Sequence, residues 1–166
     1  MWLIRMLTLS VLFVAGFVTA DDRDAVFGRW AGESSIMEIG ESDGVLYVRI
    51  VSLLNPLYHD GEEGPVGAVR VDLQNPTPAL RSRTILGMDL VGGYQYKKGK
   101  WQGKLYDPES GKTYESQITV DGDGNLQMRG YIGMPMFGRS VTFKPASSCT
   151  GDIPKMLAMA NITSTC

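Results

Sequence analysis

The side chains in this chain that could carry chemistry are few and widely spaced. Cys149 and Cys166 are its only two cysteines, both near the C-terminus. An exported chain with two cysteines most simply pairs them in an oxidising compartment. They lack CxxC spacing and have no histidine nearby in sequence, so a structural bridge is expected rather than a redox site. By chain entropy, closing a tail of this length stabilises by about 3 kcal/mol. His59 is the sole histidine and stands beside Asp60, Glu62 and Glu63. Transition-metal sites normally gather three or more ligands, so no metal and no cofactor are expected. The Asp121–Asn125 run (DGDGN) opens like a calcium loop, but the closing glutamate is missing and Leu126 begins a strand-like run instead. Paired carboxylates for general acid–base work would have to come from Asp107, Glu109 or Glu115. Glu109 falls in an exposed turn and Glu115 on a polar strand face. With no histidine-centred triad, a hydrolase has the least support. Arg29 beside Trp30 is open to two readings: a cation stacked on an indole at a barrel end, or a solvated arginine next to a core residue.

The elements that must position these groups read as β-strands. Residues 100–141 (KWQGKLYDPESGKTYESQITVDGDGNLQMRGYIGMPMFGRSV) alternate between short runs and tight reversals, the pattern of an antiparallel meander. Trp101, Gly103 and Leu105 alternate with Gln102, Lys104 and Tyr106, and Asp107-Pro108-Glu109-Ser110-Gly111 has turn chemistry at both ends. Lys112–Val120 is a half-buried strand. Leu126, Met128, Gly130 and Ile132 oppose Gln127, Arg129 and Tyr131. Residues 133–138 (GMPMFG) form an apolar non-strand insert expected to tuck over a barrel end. Arg139–Lys144 is the closing strand, with Val141 and Phe143 inward. Upstream, Ser35–Ile39 and Val45–Leu53 flank a turn. The second of these runs is apolar on both faces, so either another element covers its outside or it lies beside the termini. Residues 55–80 hold four prolines and no regular pattern, which makes them a disordered segment or a functional flap. Ile85–Tyr96 carries Gly92-Gly93, a bulge signal. The resulting expectation is an all-β, small antiparallel up-and-down barrel of seven or eight strands, because closure removes sheet edges and the loops are short. Asp152 is a candidate cap and Pro154 a first-turn residue for a short C-terminal helix over 153–160.

Composition bounds the partners. The chain has 166 residues and a net charge of −2 with no basic block, so nucleic acid is a poor fit. Residues 1–20 (MWLIRMLTLSVLFVAGFVTA) combine Arg5, an apolar run and small residues at Val18 and Ala20, which reads as a cleaved signal peptide. The competing reading is a retained membrane anchor. The expected layout is a signal peptide over 1–20, a barrel domain over 21–146 and a tail over 147–166, exported to the periplasm or beyond. No stable membrane insertion is expected once the signal is cleaved.

Several motifs in order carry a resemblance. They are VFGRW at 26–30, NPTPALRSR at 75–83 followed by Leu86-Gly87, WQGKLYDP at 101–108, SGKTY at 110–114, and LQMRGYIG at 126–133 with Phe137-Gly138-Arg139. Over roughly residues 26–144 the chain resembles the bacterial exported family called domain of unknown function 2147. The resemblance implies a small lipocalin-like barrel exported from a Gram-negative cell, and it brings no activity with it. It also makes the Asn161-Ile162-Thr163 glycosylation sequon incidental. Its motifs land on Arg29, Trp30, Arg81, Arg83, Tyr106, Asp107, Lys112, Tyr114, Arg129, Tyr131 and Arg139. Arginines recognise planar anions and aromatics supply rigid walls, so a cluster of these at one barrel mouth would hold a small acidic or amphiphilic ligand. The alternative is that the same residues tie turns together, with Arg129 bonding carbonyls and Asp107 capping its own turn, in a structural or envelope-interaction module.

Overall fold

Strand β1 (Gly28–Ala31) sits between two longer neighbours, and that placement organises the sheet. In the computed structural model, which describes residues 22–163 and Cys166, eight strands form one antiparallel sheet in the order β3-β2-β1-β8-β7-β6-β5-β4. The others are β2 (Ser35–Ser42), β3 (Val45–Leu53), β4 (Val91–Lys97), β5 (Lys100–Asp107), β6 (Lys112–Val120), β7 (Leu126–Tyr131) and β8 (Arg139–Pro145). The signal-peptide expectation falls on residues 1–20, outside the described residues. The sheet rolls up because the segment leading into β4 lies along β3. Leu90 N–H donates to Val48 O at 2.8 Å, and Ile50 exchanges backbone bonds with Met88 and Gly87. Gly92-Gly93 then marks the expected irregularity: the β4–β5 register shifts between Gly92 and Gln95, and Gly93 has a φ of +65°. The result is a nearly closed barrel.

One end of the barrel is plugged. A short 3-10 turn at Asp24–Val26 buries Val26, and the carbonyls of Val26 and of the capping residue Arg23 take the indole N–H groups that burial would otherwise orphan. Trp30 Nε1 donates to Val26 O and Trp101 Nε1 to Arg23 O, each at 2.8 Å. Phe27 and Tyr96 pack on Trp101 with ring centroids 6.1 and 5.6 Å away. Trp30, Met37, Val48, Met88, Trp101, Ile118 and Met128 fill the interior. Tyr94 crosses over Gly103 to meet the Ser116 hydroxyl.

A bulge explains why β3 is apolar on both faces. Met37 pairs with Ile50 but Ile36 pairs with Ser52, so Val51 is the extra residue and the strand switches faces there. Ser52 turns outward and its hydroxyl donates to Met156 O at 2.7 Å. Met156 lies on α1 (Ile153–Met159), which covers this outer face and builds a second core from Ala31, Ile36, Ala146, Ile153, Met156 and Leu157. Pro154 lies in the first turn as expected, but Asp152 makes no side-chain cap bond; its backbone carbonyl accepts from Met156 N–H instead. Beyond α1, Cys166 returns to disulfide distance of Cys149, with Cα atoms 5.5 Å apart.

Two expectations about the opposite end are corrected. The 133–138 insert does not tuck its apolar side chains over the barrel. Met134, Met136 and Phe137 are 61, 72 and 75% exposed, because the Arg129 guanidinium binds the loop backbone and leaves the side chains pointing away. Val141 shares the inner face with Met128 but is 53% exposed. Strand β1 ends at Ala31, opposite Lys144, so residues 139–143 have no strand beside them on that side among the described residues.

Candidate functional site

The irregular segment 54–90 is folded, and its organising group is a carboxylate. Val71 pairs with Thr84 and Leu57 with Val69 as isolated bridges. Between them, Asp72 is fully buried. Tyr106 Oη donates to Asp72 Oδ1 at 2.6 Å; Asn75 Nδ2 and Arg83 Nη2 donate to Oδ2 at 2.7 and 2.9 Å. Arg81 Nε donates to Asn75 O at 2.8 Å, and Asn75 Oδ1 accepts from Thr77 N–H at 2.9 Å. Burial alone would raise the Asp72 carboxyl, but the hydrogen bonds from Tyr106, Asn75 and Arg83, with the Arg83 charge, outweigh it and hold the group below the usual carboxylate range. Desolvation first, then the bond to the Asp72 carboxylate and its charge, push the Tyr106 phenol up to about 12. Tyr106, Asn75 and Arg83 all aim at one anion with no exposed surface. The cluster therefore locks the loop onto β5.

Arg81, Arg83 and Tyr106 are thus brought together, with Asp72 and Asn75 as partners not nominated from sequence. The neighbouring turn supports them. Asp107 caps its own turn, accepting from Glu109 N–H at 3.0 Å and from the Ser110 hydroxyl at 2.6 Å. At Gly111, with φ +65°, a Cβ would lie 1.9 Å from Gln74 O, so only glycine lets the turn approach the loop this closely.

The remaining nominated residues stand elsewhere. Lys112 is exposed, in register with Asp107. Tyr114 reaches the Ser110 hydroxyl at 3.4 Å. Arg129 donates to Pro135 O, Met136 O and Ser140 Oγ, the carbonyl-tying role. Half-buried Tyr131 lies opposite Glu115, and exposed Arg139 opposite Gly130. Trp30 is inside the core, while Arg29 points outward and donates from Nε to Glu38 Oε2 at 3.0 Å. The geometry does not gather the whole set at one mouth.

Arg29 instead lines a groove of about 500 Å³ between the outer face of β1–β3 and the tail. Its apolar lining includes Leu157 and Ile162; Glu38 and Tyr47 are on its polar side, joined by a 3.2 Å bond from the Tyr47 hydroxyl. Burial first, then the Glu38 carboxylate and its hydrogen bond, raise the Tyr47 phenol. Cys166 closes one side of the groove, so the return of the tail builds it. Among the described residues, no three His, Cys, Asp or Glu side chains converge to hold a metal.

Comparison with known proteins supports the architecture. The chain is similar to the solved structure of protein HP1028 from Helicobacter pylori, described as belonging to the lipocalin family, at 23% identity and a TM-score of 0.57. The match covers 82% of this chain and 88% of that one, and it bears on the fold alone. No curated protein matches. The family model for uncharacterized proteins conserved in bacteria matches residues 28–144, spanning the strands and the locked loop described above. By that match the chain belongs to the DUF2147 family, with a lipocalin-like barrel.

Proposed function

We propose that this barrel binds a small amphiphilic acid in the periplasm, with the groove beneath the tail as its site. The observation that carries this reading is the combination of apolar Leu157 and Ile162 with Arg29 in one cavity of about 500 Å³, a size suited to small ligands. Glu38 engages only Nε of Arg29, and the guanidinium keeps further N–H donors for a carboxylate or sulfonate. The ligand's chain would lie against Leu157 and Ile162. The test uses titration calorimetry with dodecanoate and with dodecanol as the uncharged control. Dodecanoate is expected to bind the wild type, and Arg29→Gln to weaken it by about ten- to hundredfold, the range of a charge-assisted hydrogen bond. Equal binding of acid and alcohol, or an unchanged affinity in the variant, refutes the reading.

A second reading, an envelope-interaction module without a ligand, draws support from the interior, which Trp30, Met37, Met88 and Trp101 fill with side chains. Absence of any dodecanoate binding together with concentration-dependent self-association would favour it.

A further inference from the structure

The hairpin joining β7 to β8 has an unusual chemical composition for this chain. From Asp123 to Asp152 there is no acidic residue between the two, whereas Arg129, Arg139 and Lys144 all fall within that interval. The whole chain carries a net charge of −2, so the basic hairpin is not a by-product of overall composition. Among β6 residues in register with β7, only Glu115 is acidic, opposite Tyr131. At the hairpin's tip stand Ile132, Met134, Met136 and Phe137, each at least 61% exposed. Single exposed apolar residues need no explanation, but four on one tip form a patch.

The tip is preformed. Arg129 Nε and Nη2 both bind Pro135 O, at 2.9 and 2.7 Å, and Nη1 binds Ser140 Oγ at 3.0 Å. Gly138 approaches β7 so closely that a Cβ there would sit 2.6 Å from Gly130 O. The loop backbone is therefore pinned to the strand while its apolar side chains are displayed outward. The same bonds fix one cationic group at the base of the tip, and Arg139 adds a second.

The geometry points to docking of this tip on an anionic lipid surface. Ile132, Met134, Met136 and Phe137 enter the headgroup–acyl boundary, and Arg129 and Arg139 lie at the level of the phosphates. Charge complementarity selects this occupant over a neutral apolar partner, since a basic rim gains only where the opposing surface is negative. The contact proposed is confined to the tip; no helix among the described residues is long and apolar enough to cross a membrane. The tip shares none of the groove's lining residues, so docking there does not depend on a ligand in the groove.

Flotation of the protein as recovered from cells, with vesicles of phosphatidylcholine doped with phosphatidylglycerol, tests the proposal. The wild type is expected to float with doped vesicles and to lose at least about tenfold of that binding in the triple variant Met134→Ser/Met136→Ser/Phe137→Ser. Arg139→Gln is expected to weaken binding about fivefold, as is typical of one basic residue at an anionic surface. All the substituted side chains are solvent-exposed, and thermal melts of each variant check that folding is intact. Equal flotation with undoped vesicles, or undiminished binding by the triple variant, overturns the proposal. Sedimentation velocity supplies the remaining outcome: a dimer that the triple variant abolishes, without lipid binding, would make the patch an interface between copies and also overturn it.

Discussion

Asp72 has no solvent-exposed surface, and its ionised form is held by three side-chain donors. Its carboxyl lies below the ordinary value. The stabilisation this supplies is fully present above the unfolded value of about 3.9 and is lost as pH falls through the lower folded value. Tyr106 acts in the opposite direction. With its phenol raised to about 12, its contribution is present below about 10 and is lost as pH rises through about 12. Denaturant melts across pH should therefore show Asp72→Asn flattening the acid limb, and Tyr106→Phe flattening the alkaline one. Tyr106→Phe should also lower stability at neutral pH by about 1–3 kcal/mol, because a buried carboxylate oxygen loses its donor. An unchanged acid limb in Asp72→Asn would show that other carboxylates govern acid unfolding. At this scale the sequence was half legible. Arg81, Arg83 and Tyr106 lay in recognisable motifs, whereas Asp72 is met 34 positions before Tyr106, and no periodicity marks such a pair. The available signal was the acid inside the apolar run Val71-Asp72-Leu73.

At the scale of elements, the strands over 100–141 were readable because alternation and turn chemistry agree at the 107–111 and 121–125 reversals. The 54–90 segment was not, since its order comes from side-chain contacts across the loop and to β5 rather than from local propensity. Tyr58 shows the principle: its hydroxyl both donates to Val71 O and accepts from Val71 N–H, and Arg70 stacks on its ring while binding Glu62. The β5–β6 turn docks this segment through Gly111. Gly111→Ala should cost at least about 1–2 kcal/mol from its positive φ alone. The clash with Gln74 O should loosen the loop and speed proteolysis within 55–84. Gly122→Ala, at an open position without a positive φ, is the control and should change neither stability nor cleavage rate. Equal proteolysis of the two variants would show that the turn does not hold the loop.

Taken as a whole, the molecule is a barrel whose C-terminal tail returns to cover its own outer face. That return was only indirectly legible: the doubly apolar β3 demanded a cover, but Ser52 and Met156 are 104 positions apart. Because the disulfide pins the end of the tail, Cys149→Ser/Cys166→Ser should lose up to about 3 kcal/mol, by closure entropy. It should also raise amide exchange in α1 more than in β5–β7. Uniformly faster exchange throughout the barrel would instead indicate that tail and barrel unfold together. The short β1 has a different consequence. Where it stops, residues 139–143 have no strand partner on that side among the described residues, and in extended form they are a template on which another chain could stack strand upon strand. Arg139 and Lys144 flank that stretch and act as gatekeepers, since matching strands from two copies would bring like charges together. Neutralising both would turn a solvated barrel rim into a nucleus for cross-β aggregation.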